Sequence, residues 1–338
     1  LAGVLFALLL TTAVAAHAVQ ARLDVDKTWL GPTDDLVATV TITNDTLKPI
    51  FVPKWQVPGQ LLEEDLFEIT QDGHSAQYVG RLVKRAAPKA ADYIRLAPGQ
   101  SVQGRTELSR HYDLLGGGEY LIAFRMNLGS GLISELRRPV DLVRSEIVAV
   151  WRDAPVRVEN DFAVNVVVGA AVTTVGCGAS DDVSNAINAA KNYATGAKNY
   201  MQSHTASNVG PRYTTWFGSP TTTNVSTITN HYVKIEDAFL NKAVNIDCTC
   251  TDSYYAYVYK NDPYTIHVCN AYRSAPVTGT DSKGGTLIHE MSHFTVVADT
   301  DDWAYGQTSC KKLATKGNKA IDNADSHEYF AENTPAQN

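Results

Sequence analysis

His289-Glu290-Met291-Ser292-His293 lies inside residues 282–295, a stretch read as a helix, and its reading decides what the second half of the chain is. Residues four apart share one helical face, so both imidazoles can reach a single zinc ion. Glu290 stands beside them, where a carboxylate can take a proton from water. Zinc in a reactive site has three protein ligands and one open position. The third ligand has four candidates: Asp299, Asp301, Asp302 and Glu328. Asp302 follows His293 by nine residues, just past the expected helix end, where a loop can fold an oxygen back to the metal. Glu328 lies thirty-five residues beyond His293, beside another helix start. Asp301 reads as part of a solvated turn.

Around this stretch helical and extended patterns alternate. Ser180, Asp181 and Asp182 read as the N-cap and acidic first turn of a helix in which Val183, Ile187, Ala190, Ala194, Ala197 and Met201 recur every three or four residues. A second helix is expected over 227–240. Residues 255–259 and 264–268 alternate on either side of a turn and predict a β-hairpin, whose edge can hydrogen-bond an extended peptide. Further helices fit 305–315 and 325–333, the last with Asp325 as N-cap and Glu328 at the third position of a capping box. Helices around a small sheet make an α+β domain. All five cysteines, Cys177, Cys248, Cys250, Cys269 and Cys310, fall in this half. Cys248 and Cys250 are too close for a CxxC zinc knuckle and are expected to have different partners, with Cys310 left over.

The first half is patterned otherwise. Leu36, Ala38, Val40 and Ile42 alternate with more polar neighbours, turns fall at 96–99 and 116–118, and 120–126 reads as a strand. An all-β, immunoglobulin-like sandwich is expected, without cysteines or a cluster of metal ligands. Residues 1–18 run apolar to Leu10 and end in Ala16-His17-Ala18, as a secretory signal peptide does. A linker is expected over 151–175, giving a signal peptide at 1–18, a β-rich domain at 19–168 and the α+β domain at 169–338. Net charge is −7, with no basic stripe for nucleic acid, and no further stretch is apolar enough to span a membrane.

The second half resembles the aspzincins, zinc endopeptidases that share HExxH followed by a GTxDxxYG segment. Here the latter reads Asp299-Thr300-Asp301-Asp302-Trp303-Ala304-Tyr305-Gly306, and the similarity runs from Gly176 onward. The resemblance implies one zinc ion held by His289, His293 and Asp302, with Glu290 as general base and acid and Tyr305 as the catalytic tyrosine. It also implies disulfides Cys177–Cys248 and Cys250–Cys269, and carries Asp325 and Glu328 onto an acidic pair that holds a substrate lysine just after the cut. Asp299 departs from the family glycine and adds a carboxylate near the metal. With its β-rich leader, the chain is similar to a secreted bacterial aspzincin toxin precursor, which implies a monomer with protein or peptide substrates and its own propeptide as inhibitor. A different class stays open, a secreted adhesin or toxin whose zinc is structural and closed by a fourth ligand. No lysine occurs between Lys89 and Lys191, so Lys-directed self-cleavage has Lys84 or Lys89 as its leader targets rather than the linker.

Overall fold

The computed structural model describes residues 18–114, 116–128, 142–154 and 171–338. All of the expected signal peptide except Ala18, and residues 155–170 of the expected linker, lie outside the described residues. Among the described residues twelve strands come first: β1 (Val19–Val25), β2 (Trp29–Leu30), β3 (Val37–Asn44), β4 (Ile50–Pro53), β5 (Phe67–Gln71), β6 (His74–Ser75), β7 (Arg81–Lys84), β8 (Tyr93–Leu96), β9 (Ser101–Glu107), β10 (Gly118–Asn127), β11 (Leu142–Arg144) and β12 (Val148–Arg152). One sheet has the order β1-β3-β9 and another β2-β12-β10-β5-β6, with β11 also on β10 and β4 paired with β8. Alternation sets which face is inward. Ala38, Val40 and Ile42 of β3 are fully buried and join a core containing Ile122, Phe124 and Val150.

The remaining chain forms β13 (Val172–Val175), α1 (Val183–Ser203), α2 (Pro211–Phe217), α3 (Thr222–Asn241), β14 (Val244–Asp247), β15 (Ala256–Tyr259), β16 (Thr265–Val268), α4 (Asn270–Ser274), α5 (Lys283–His293), α6 (Gln307–Ala314) and α7 (Ala324–Glu332). Its sheet runs β13-β14-β16-β15-β7. The expected hairpin is β15 with β16, in antiparallel register. The edge of β15 is taken by β7, a strand of the first half, with Tyr259, Val258, Tyr257 and Ala256 opposite Arg81, Leu82, Val83 and Lys84. One continuous sheet therefore joins the two halves.

Several local readings are corrected. Val172–Val175, read as linker, is a strand parallel to β14. Ser180 does not cap α1. Asp182 precedes that helix in a left-handed conformation, while Asp181 accepts bonds from the Gly178 amide at 2.7 Å and Arg273 Nε at 2.9 Å. A tertiary ion pair has claimed the acidic run. Helix α3 starts at Thr222, five residues earlier than expected, because Thr221 Oγ1 accepts from the Asn224 amide. Asn323, not Asp325, precedes α7, so the capping box is absent. Cys177–Cys248 and Cys250–Cys269 are bonded, and Cys310 is a buried free thiol.

Every residue of α5 is buried, packed on α1 and α7. The approach to α1 needs a glycine: a Cβ on Gly284 would meet the Ala189 Cβ at 2.7 Å and the Ala190 nitrogen at 3.2 Å. Both contacts belong to a helix that cannot retreat without opening the core. Gly284→Ala is expected to destabilise the protein by about 1–3 kcal/mol, read as a lower urea midpoint at unchanged slope.

Candidate metal centre and lysine pocket

Helix α5 is anchored at its start by Ser282, whose Oγ accepts from the Gly285 amide at 2.9 Å and donates to Glu332 Oε1 at 2.7 Å. Two turns further on, His289 and His293 bring their Nε2 atoms to 3.1 Å from each other. Asp302 closes the triangle, with Oδ1 3.2 Å from His289 Nε2 and Oδ2 3.5 Å from His293 Nε2. Tetrahedral zinc with bonds of about 2.0–2.1 Å separates its ligand atoms by about 3.3 Å, so these three donors match that spacing. His293 Nδ1 donates to the Thr300 carbonyl at 2.8 Å, which leaves its Nε2 lone pair for a metal. Both Asp302 oxygens, both Glu290 oxygens and the Tyr305 hydroxyl are buried without a hydrogen-bond partner. Such a set is costly when nothing compensates it, and a cation with its reacting ligands is the natural compensation.

The electrostatics follow the same geometry. Burial opposes ionisation of Asp302, but His293 and His289 hold it far below the usual carboxylate range. Burial also works against a charged His289, yet Asp302, Asp325 and Glu328 raise its pKa. Glu290 is pushed up to about 8 by burial, which outweighs the opposing charges of His289 and Lys84. The Tyr305 phenol is raised by burial and by the Asp302 charge.

The loop after α5 sorts its carboxylates. Lys260, from the hairpin turn, reaches Asp299 Oδ1 at 3.0 Å and Asp301 Oδ1 at 2.8 Å. Asp299 adopts a left-handed φ of 54°, the conformation a family glycine would take freely. Both aspartates are thereby engaged away from the histidines, and Asp301 is ion-paired rather than simply solvated. Asn323 Oδ1 accepts from the Trp303 and Ala304 amides at 2.9 Å each, holding the turn that presents Asp302 and Tyr305. Lys260, Asn323 and Glu332 were not singled out in the sequence. No spacing marks them, because each acts across the fold.

His289 has a second neighbour. Its Nδ1 lies 2.8 Å from Asp325 Oδ1 and 3.6 Å from Glu328 Oε2, on the opposite side of the ring from Asp302. Glu328 therefore cannot share an ion with His289 Nε2. Instead, Asp325 and Glu328 enclose the ammonium of Lys84, the last residue of β7. That nitrogen is 3.3 Å from Asp325 Oδ1 and in direct contact with Glu328 Oε2, and all three side chains are fully buried. Asp281 stands 3.9 Å away and the Tyr255 ring centroid 5.2 Å. Burial opposes ionisation of Asp325, but Lys84 and His289 lower its pKa, while burial lifts Glu328. Asp325 Oδ2 also accepts from the Gly306 amide at 2.7 Å, so the pocket and the Tyr305 turn share a carboxylate.

The family model described as lysine-specific metallo-endopeptidase matches residues 201–332, which hold α5, Asp302 and α7. An extracellular protease of Aeromonas hydrophila is 39% identical over 343 residues, covering 98% of each chain. The chain belongs to the aspzincin family. Aspzincins similar to it include a peptidyl-Lys metalloendopeptidase of Grifola frondosa, 37% identical over 89% of this chain and 88% of that protein, and one of Armillaria mellea at 36%. A solved zinc peptidase from Grifola frondosa is 46% identical over 48% of this chain and the whole of its own, with a TM-score of 0.45. As an aspzincin, the chain is a zinc-dependent metalloendopeptidase.

Two substitutions separate the candidate ligand sets. Asp302→Ala is expected to abolish stoichiometric zinc binding. Glu328→Ala is expected to retain one zinc per chain, with affinity lowered no more than the roughly 10- to 100-fold typical of groups behind a ligand. Metal content after dialysis, measured by mass spectrometry, decides between them.

Proposed function

We propose that this aspzincin is the extracellular precursor of an endopeptidase that cuts proteins on the amino side of lysine, and that its first part keeps it latent. In this reading residues 1–18 are a signal peptide, 19–168 an immunoglobulin-like propeptide and 169–338 the catalytic domain. One observation carries it: a lysine on an extended strand lies against the edge of β15 with its ammonium buried between Asp325 and Glu328. Substrate strands bind sheet edges through main-chain bonds, and Lys84 contributes one of these, its carbonyl accepting from the Tyr255 amide at 3.1 Å. The printed names of the Grifola and Armillaria relatives, peptidyl-Lys metalloendopeptidases, support the same specificity. The name of the Aeromonas relative, an extracellular protease, supports export.

His289, His293 and Asp302 hold the zinc, which when bound supplies Lewis-acid polarisation of water and carbonyl. Glu290, buried and unpartnered, accepts the proton of the attacking water and returns it to the leaving amine. The Tyr305 phenol, equally unpartnered, donates to the oxygen on which negative charge develops. Asp325 and Glu328 bind the lysine ammonium and, with it, set the register of the peptide. An empty pocket leaves two buried carboxylates uncompensated, so a neutral side chain there costs several kcal/mol relative to lysine. A structural zinc in a non-enzymatic adhesin would need a fourth donor. Among the described residues three donors converge on the Nε2 side of His289, while Glu290 is left without a partner.

Two outcomes are expected. Glu290→Gln keeps zinc but loses at least about 100-fold in kcat on a lysine peptide. In the full-length Glu290-intact precursor, Lys84→Ala removes the buried cation, and cleavage of a short lysine peptide appears before any processing of the chain. A precursor that stays inert with Lys84→Ala, yet becomes active once the leader is removed, would show that latency does not depend on that side chain.

A further inference from the structure

The strand that carries Lys84 also carries Arg81, and Arg81 occupies a place of its own. Its guanidinium carbon lies 4.5 Å over the Tyr257 ring. The far face of that ring is stacked on His267 at 4.5 Å and 7°, and His267 Nδ1 contacts Asp247 Oδ2 at 2.9 Å. Tyr259 stands edge-on to both rings and lies opposite Arg81 in the strand register. Asp252 Oδ2 is 3.7 Å from Arg81 Nη1. Burial opposes the charge, but the phenols of Tyr259, Tyr257 and Tyr254 outweigh it and leave the Arg81 pKa raised. The Arg81 side chain is only 16% exposed.

The tyrosines, His267 and the two aspartates named around this guanidinium come from β14, β15, β16 or the segment between the two disulfide-linked cysteines Cys250 and Cys269. The place therefore belongs to the catalytic half and stays when β7 leaves. A stacked aromatic face, a phenol and a carboxylate are the chemistry that recognises a planar cation. If the chain is cut before Lys84, then Val83, Leu82 and Arg81 are the first, second and third residues before the scissile bond. We propose that Tyr257, Tyr259 and Asp252 form a second specificity subsite, which takes an arginine three residues before the bond that is cut. Strand geometry supports the spacing: Arg81 and Val83 share one face of β7, while Leu82 and Lys84 share the other, so the two cations enter separate sites. The enzyme then reads arginine, two residues and lysine, rather than lysine alone.

This inference rests on the lysine-directed reading of β7, and the test keeps the two apart. Zinc-loaded active enzyme, obtained from full-chain expression, is assayed on fluorogenic peptides Arg-Leu-Val-Lys-Arg and Ala-Leu-Val-Lys-Arg. The expected ratio of kcat/KM, arginine over alanine, is about three- to tenfold for a partly exposed cation–aromatic contact with a rim carboxylate. Within single preparations, where any misfolded fraction cancels, Tyr257→Leu should bring that ratio to about one. Asp252→Lys should turn the preference toward a peptide with Glu at the same position, a gain that misfolding cannot produce. A ratio near one for the unsubstituted enzyme, with cleavage before lysine intact, overturns the subsite and leaves the lysine pocket standing. Absence of cleavage before lysine in either peptide overturns both.

Discussion

The imidazole of His289 is the constraint on which the rest of the site depends. A ring has two nitrogens in fixed opposition, and here one faces Asp302 and His293 while the other faces Asp325 and Glu328. Whatever fixes that ring fixes the distance between a metal and a cation pocket. Its orientation is in turn fixed by α5, a helix without a single exposed residue, seated on α1 through Gly284 and tied at its start to Glu332 of α7. Because Asp325, Glu328 and Glu332 all lie on α7, the element that anchors α5 also carries both carboxylates of the pocket. A carboxylate behind a ligating histidine is a common way to set tautomer and basicity. Here the same carboxylates have a second use, holding an ammonium.

That double use explains why Asp325 and Glu328 were open to two readings in the sequence. Three residues apart at a helix start, they fit a capping box, a local pattern. The capping box is absent because Asn323 takes the N-cap position one residue before Ala324, the first residue of α7. The same limit holds elsewhere. Alternation along β3 and the three-and-four repeat of α1 were legible because each depends on one face meeting one core. The pairing of His289 with His293 was legible because four residues make one turn. Asp302 could be argued from loop length, but the choice among Asp299, Asp301 and Asp302 depends on Lys260, which arrives from a hairpin turn about forty residues earlier. The Asp299 substitution, a departure within the family segment, finds its physical counterpart in that lysine: the extra carboxylate has an ion-pair partner and a turn that tolerates φ of 54°.

The place of β7 could not be read from sequence either. Its four residues, Arg81-Leu82-Val83-Lys84, show no polar–apolar alternation, and they pair with β15 across the boundary between two patterns. Strand pairing over more than 170 residues leaves no local trace. What the sequence did contain was an absence: the run without lysine from Lys89 to Lys191. For a lysine-directed enzyme such a run protects the connection between its halves and confines self-cleavage in the leader to the few lysines that precede it.

On the proposed reading, a leader that resembles substrate must bind well without being consumed at once. Main-chain pairing to β15, the buried Lys84 ammonium and the Arg81 contact all act on residues flanking the bond rather than on the bond, so they hold the ground state and the reacting state alike. Interactions of that kind lower the concentration at which a strand occupies the site without speeding its hydrolysis. Tethering raises occupancy further, since β7 is delivered by a folded sheet instead of by diffusion. Additional leader groups crowd the same region: Trp55 packs edge-on to Tyr305 at 6.4 Å, and Glu63 bonds both Arg85 and the Tyr254 hydroxyl. The Trp55 contact reaches the residue proposed to stabilise the developing oxyanion. On the same reading, a free substrate brings the lysine but not Trp55, so loss of the leader frees Tyr305 of that neighbour. On the proposed reading, latency therefore has two layers, occupancy of the pocket by a lysine and restraint of a catalytic phenol by a tryptophan, and only the first is shared with a substrate.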